Sequence, residues 1–243
     1  MSLLFLTACA QIEGTRRHET IVDGITGATE KSSLWSPCRP NQALMWEQKS
    51  KQDSNATFQA ARCYAVLARS GKTKSERLTN AVKGRKMAQA AVARDPKNPA
   101  AHYLTAYLAG LEAENNSLKG LALVPVIEGS ALEASRLNPA LDFGGPDRML
   151  GELYLRAPEP PVSIGDLGKA ILHYQRAVSL APDFVENRLG LAEAYLEDEE
   201  PGAACEQLQQ ILTRMPPCSG WEYKLKRTTD LMKQICGMET QKN

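Results

Sequence analysis

Few residues in this chain are spaced for covalent or metal chemistry. Its histidines, His18, His102 and His173, are scattered through three different segments. No GxSxG, P-loop, GxGxxG or HExxH pattern occurs. Asp147 and Glu152 are five residues apart and do not share a helix face. Glu193 and Glu197 do share one, at i and i+4, and read as a solvated face. Cys9, Cys38, Cys63, Cys205, Cys218 and Cys236 include no CxxC pair, and no histidine stands at zinc-finger distance. No catalytic residue, metal ligand or cofactor is therefore expected, and the chain reads as no enzyme. With Cys9 set aside, an odd five cysteines remain, so one thiol is free or pairs between chains. Arg148 is the candidate for recognition. Its guanidinium could take a carboxylate bidentately, or pair with Glu152 one helical turn away.

The elements that carry these residues follow from spacing. Leu191 lies four residues before Tyr195, Ala204 nine after it, Leu208 four after Ala204, and Pro216 twelve after Ala204. Pro182 lies 34 residues before Pro216, with Ala170 and Tyr174 at the same offsets before it. Two aligned registers of 34 residues are the signature of a tetratricopeptide (TPR) repeat, a helix–turn–helix unit. A small residue at 204 lets the two helices approach, Tyr195 and Leu208 fill the gap, and Pro216 stops the second helix. The expected fold is an all-α array of about four such units with a closing helix. Hydrophobic content is 43%, and no apolar run is long enough to span a membrane as a helix. A formal net charge of +1 gives no case for nucleic acid.

Taken in order, Leu34–Ser50 starts with turn residues and becomes helical, and Trp35, Leu44, Met45 and Trp46 read as an apolar cap on the first unit. Helices are expected over 55–70 and 74–94, stopping at Asp95-Pro96, with Gly84 and Ala88 at the close-approach positions. The next pair covers 99–113 and 118–137, with a kink or break near Leu123-Val124 caused by Pro125. Pro96, Pro139 and Pro182 are spaced by 43 residues, nine more than one unit. In the third pair the surplus falls in APEPPVSIG, 157–165, an ordered non-helical loop, after which Asp166 caps the next helix. The last pair ends at Pro216, and a closing helix covers 221–236. The first helices of such an array line a concave groove. Register turns Arg148, Glu152, Glu186, Leu189 and Glu193 toward it, with Tyr103 and Tyr107 from the preceding unit. Tyr154 is expected with Arg148 beneath the 157–165 loop.

The start of the chain reads differently. Leu3, Leu4, Phe5 and Leu6 form an apolar run, followed by Leu6-Thr7-Ala8-Cys9. This resembles a bacterial lipobox, which implies lipidation at Cys9 and a membrane anchor on the periplasmic face of the envelope. The charged n-region of a signal peptide is missing, so the start codon is expected upstream. Ala10 in place of Asp favours the outer membrane by the same resemblance. The expected organisation is a signal remnant over 1–9, a flexible linker and lead-in over 10–40, a helical domain over 41–236 and a frayed tail over 237–243. The linker proper, residues 10 to about 33, reaches about 80 Å when extended, at roughly 3.3 Å per residue. An envelope location permits disulfides.

Residues 144–196, GGPDRMLGELYLRAPEPPVSIGDLGKAILHYQRAVSLAPDFVENRLGLAEAYL, go beyond a generic TPR. Their DR-x-LG-x-x-Y helix, AP-x-x-P insertion, I-GDL-x-KA restart and P-x-x-x-EN run resemble the T component (TatT family) of TRAP (tripartite ATP-independent periplasmic) transporters. The resemblance is sharp there and loose over 40–236. It implies a non-catalytic, lipid-anchored periplasmic helical protein that can oligomerise. The implied partner is the solute-binding protein of a TRAP system, with a small apolar or acidic solute. The other reading is a scaffold for envelope assembly, an adaptor unrelated to transport.

Overall fold

A computed structural model describes residues 34–214 and 222–239. Cys9 and the lipobox, Pro216 and Cys218 lie outside the described residues. The helices are α1 (Pro40–Lys49), α2 (Ser54–Ser70), α3 (Lys74–Arg94), α4 (Pro99–Asn115), α5 (Ser117–Leu137), α6 (Gly145–Arg156), α7 (Leu167–Leu180), α8 (Val185–Glu197), α9 (Pro201–Arg214) and α10 (Glu222–Glu239).

Their ends follow from local chemistry. Asp53 accepts from the Asn55 N–H at the start of α2, and Thr73 and Glu76 form a capping box on α3. Asn98 caps α4, which opens on Pro99. Asp166 accepts from the Lys169 N–H and starts α7 where the sequence places it. Pro96, Pro139 and Pro182 follow the ends of α3, α5 and α7, because the residue before a proline is pushed out of the helical region.

Each helix packs on the next in four antiparallel-type pairs, α2/α3, α4/α5, α6/α7 and α8/α9, with α1 before them and α10 after. The first helices also touch in series: α2 on α4, α4 on α6, and α6 on α8. That series makes one wall. Small residues carry the close contacts. Ala61, Ala65, Ala68, Ala81 and Ala88 pack with Leu104 and Leu108 around the first pair. A Cβ at Gly84 would lie 2.8 Å from both Leu108 and Tyr64, so α3 approaches there only with glycine. Val185, Leu189, Ala192, Ala204, Leu208 and Ile211 form the core of the last pair, against Leu231, Met232 and Ile235 of α10.

Several expectations need correction. Helix α5 runs unbroken through Pro125. The proline withholds a hydrogen bond from the Leu121 carbonyl, but Leu121 is half exposed, so water can serve that carbonyl. The surplus of the second pair is helix length, with 17 residues in α4 and 21 in α5, against 13 and 14 in α8 and α9. The 34–39 lead-in is part of the folded body. Cys38 is disulfide-bonded to Cys63 of α2 with Cα atoms 5.4 Å apart, and Arg62 donates to the Ser36 carbonyl at 2.9 Å. A second disulfide, Cys205–Cys236, ties α10 to α9. Leu44 and Met45 are exposed, so of the expected apolar cap only Trp35 and Trp46 pack on the array. No described helix is long and apolar enough to cross a membrane.

Candidate functional site: a concave groove

The inner wall encloses a cavity of about 1030 Å³. That is at the top of the roughly 300–1,000 Å³ range usual for small-ligand pockets. Tyr103, Tyr107, Arg148, Glu152, Glu186, Leu189 and Glu193 all line it. Helices α4, α6 and α8 supply them, because a residue every third or fourth position on each first helix faces the same side.

Tyr154 does not line the groove. It is buried between α5 and α7, where its hydroxyl donates to Glu128 at 2.6 Å and its ring stacks on His173 at 5.5 Å. Tyr154 sits two residues after Glu152, and such neighbours point to different sides of a helix. His173 belongs to the same layer. Its Nδ1 lies 2.8 Å from one oxygen of Asp147, whose other oxygen accepts from Ser135 at 2.8 Å. Serine and histidine both bind the carboxylate, and the hydroxyl does not donate to the imidazole. The trio therefore ties α5, α6 and α7 together and lacks the relay of a serine nucleophile. Among the described residues no group of histidine, cysteine and carboxylate side chains is placed to hold a metal ion.

Arg148 neither pairs with Glu152 nor offers an open fork. It binds Asp142 Oδ2 at 2.9 Å and Asn187 Oδ1 at 2.9 Å, and it also donates to the carbonyls of Asp142 and Phe143. Asp142 is the acceptor at the centre of this hub. Trp35 Nε1 donates to it at 2.7 Å and the Tyr103 hydroxyl at 2.6 Å. Asn187 is fully buried and donates to the carbonyls of Phe143 and Ala177. The hub therefore joins the lead-in segment to α4, α6 and α8. Burial first, and then the Asp142 charge, push the Tyr103 hydroxyl well above the ordinary tyrosine range, so it stays a donor.

The turn that presents Asp142 is unusual. Asp142, Phe143 and Gly144 have φ of 49°, 58° and 77° in succession. Asp and Gly tolerate this left-handed region, whereas a bulky Phe pays for it in strain of roughly 1–3 kcal/mol. The hub holds the turn in place. Phe143 stacks on Phe184 with ring centroids 4.9 Å apart, and the Arg148 guanidinium lies 4.7 Å from the Phe184 centroid. The glycine after the turn is fixed by Tyr103, whose hydroxyl oxygen a Cβ at Gly145 would meet at 2.7 Å.

A second polar cluster lies further along. Glu152 accepts from the Tyr174 hydroxyl at 2.6 Å and pairs with Arg156, which also reaches Glu193 at 2.7 Å. Tyr174 passes between Gly151 and Gly190, where no Cβ fits. The 157–165 loop folds back on itself through Gly165 N–H to Pro158 O at 2.9 Å and Asp166 N–H to Tyr154 O at 3.0 Å. It contains a cis Pro160–Pro161 bond, and only its first residues, Ala157 and Pro158, reach the cavity.

Asp142, Phe143, Tyr174, Phe184 and Asn187 are groove or hub residues that sequence reasoning missed, whereas Trp35, which could be read from sequence as an apolar cap or an aromatic ligand platform, does line the groove. The signal for Asp142 and Phe143 was the Asp-Phe-Gly-Gly run before α6, a turn composition with a bulky residue inside it.

No protein-family model matches the sequence, and no curated protein matches it. Among solved structures, a thermophilic TPR protein from Thermus thermophilus is similar, with a TM-score of 0.56, 20% identity, and coverage of 78% of this chain and 88% of that one. At that identity the likeness bears on the fold alone. The chain is an all-α, tetratricopeptide-like array of four helix pairs with flanking helices, and its inner face carries the groove.

Proposed function

We propose that the chain is a non-catalytic, lipid-anchored periplasmic protein that serves a TRAP-type uptake system, holding a solute-binding partner and a small ligand on its groove. A TPR-like fold suits protein interaction in general, because stacked helix pairs present an extended concave surface. One observation carries the finer reading. The stretch that resembles T components, 144–196, supplies the α6 and α8 side of the groove, while α4, α5 and the 142–143 turn supply the rest. Its DR motif supplies Arg148, its LG supplies the glycine that admits Tyr174, and its EN supplies the buried Asn187. Gly151 also sets the close approach of α6 and α7, and Arg148 and Asn187 tie α6 to α8. They fix the shape of the inner face. The anchor rests on the Leu6-Thr7-Ala8-Cys9 sequence alone.

The test uses the full chain behind a complete upstream signal sequence in its native envelope. Palmitate should label the protein, and Cys9→Ser should remove the label and release the chain from the membrane fraction. A TRAP solute-binding protein should co-purify with both forms. A Cys9→Ser protein that stays fully membrane-bound would rule out the anchor. Capture of assembly factors with no solute-binding protein would favour the scaffold role instead.

A further inference from the structure

The two ends of the groove differ in chemistry. One is aromatic, lined by Trp35, Tyr103, Tyr107, Phe143 and Phe184. The other is aliphatic, lined by Leu111, Leu121, Val124, Ile127 and Leu153. Gly110 lies at the aliphatic end, and a Cβ built there meets nothing within 4 Å, so that side of α4 faces open space.

The charges are unbalanced. Glu114, Asp142, Glu152, Glu186 and Glu193 are five carboxylates, against three guanidiniums, Arg69, Arg148 and Arg156, which gives the lining a formal charge of −2. The chain as a whole is +1, so the groove runs against the protein's own average. A carboxylate ligand would find Arg148 already bound to Asp142 and Asn187, and Arg156 bound to Glu152 and Glu193. It would have to break one of these pairs or draw Arg69 off the Trp35 ring, and enter a net negative field. A cation meets the opposite situation. Ring faces here already take guanidiniums: Arg148 lies 4.7 Å from the Phe184 centroid and Arg69 lies 5.8 Å from that of Trp35. Aromatic faces beside carboxylates are what an ammonium needs when it gives up water.

Taking the groove as a binding site, we propose that it selects an amphiphile with an amine or quaternary ammonium head and a saturated hydrocarbon tail. The head lies among the rings and carboxylates, and the tail lies in the aliphatic end, where each buried methylene adds about fourfold in affinity.

Two probes share a decyl tail and differ in head charge: decyltrimethylammonium and undecanoate, each titrated calorimetrically into the full chain below its micelle concentration. The native chain should bind the ammonium about tenfold more tightly or better, and added salt should narrow the gap. Glu186→Gln, two residues from Phe184 at the aromatic end, should narrow it too, and Glu186→Gln with Glu114→Gln should nearly close it. Gly110→Leu should fill the aliphatic end and weaken both probes while the fold is kept, because leucine is the better helix former. Equal or tighter binding of undecanoate, with Gly110→Leu still weakening both, would overturn the ligand class and leave the groove reading standing. Binding of both probes untouched by Gly110→Leu would overturn the groove reading itself. Absence of binding by the ammonium probe would overturn the ligand class.

Discussion

Asp142 accepts hydrogen bonds from Trp35, Tyr103 and Arg148, which belong to three different parts of the chain. Its side chain and that of Arg148 are 8% and 18% exposed, so the pair is largely withdrawn from water. Asp142→Asn would replace an acceptor oxygen with an N–H group facing donors and leave the guanidinium without its counter-charge. The expected loss is about 3 kcal/mol, read from the urea midpoint at constant slope. A midpoint within error of the native chain would mean that the hub does not hold the fold. The buried tyrosines predict a pH dependence of known sign. Burial first, then Asp142 at Tyr103 and Glu152 at Tyr174, raise both hydroxyls well above the ordinary value. Below about pH 10 neither state ionises and the contribution is complete. Above it the unfolded chain loses these protons while the fold keeps them, so stability falls by about 1.4 kcal/mol per pH unit for each tyrosine. Urea midpoints from pH 9 to 11 should drop, and Tyr174→Phe should make the drop shallower. An unchanged slope in that variant would contradict the assignment. The sequence disclosed part of this scale. Tyr103, Tyr107, Arg148, Glu152, Glu186, Leu189 and Glu193 were legible because helical period turns them to one side. Asp142 and Phe143 were not, because turn residues have no period, and the Trp35 and Tyr103 donors lie 107 and 39 residues from Asp142.

At the scale of the element, the offsets that define the repeat are packing distances. Ala204 is fully buried where α9 crosses α8, next to Ala192 and Leu208. Ala204→Leu should overpack that crossing and destabilise the array by about 1–3 kcal/mol, measured by thermal unfolding. An unchanged melting temperature would mean that the register is shifted. Helix limits were legible wherever proline, glycine or a capping side chain set them. The course of α5 was not, because Pro125 ends a helix only when the carbonyl it deprives has no other donor, and exposure at Leu121 is a property of the fold. The orientation of Tyr154 was misjudged for a related reason. Its proximity to the 157–165 loop suggested a place with Arg148 at one edge of the groove, but only the loop's first two residues reach the cavity.

At the scale of the whole molecule, stacking four helix pairs turns their first helices into one wall, and the hub at Asp142 locks that wall from the lead-in segment to α8. Leu172 of α7, a second helix of its pair, is 45% exposed and does not line the groove. The central claim is that binding takes place on the inner face. The most direct test places a photo-crosslinking amino acid at Leu189, on the groove wall, and separately at Leu172, on the outer face, in the full chain in its native envelope. The account predicts that position 189 gives a discrete adduct with the solute-binding partner, that position 172 gives none, and that Gly110→Leu reduces the adduct at 189. An adduct at 172 with none at 189, in folded proteins, would contradict it.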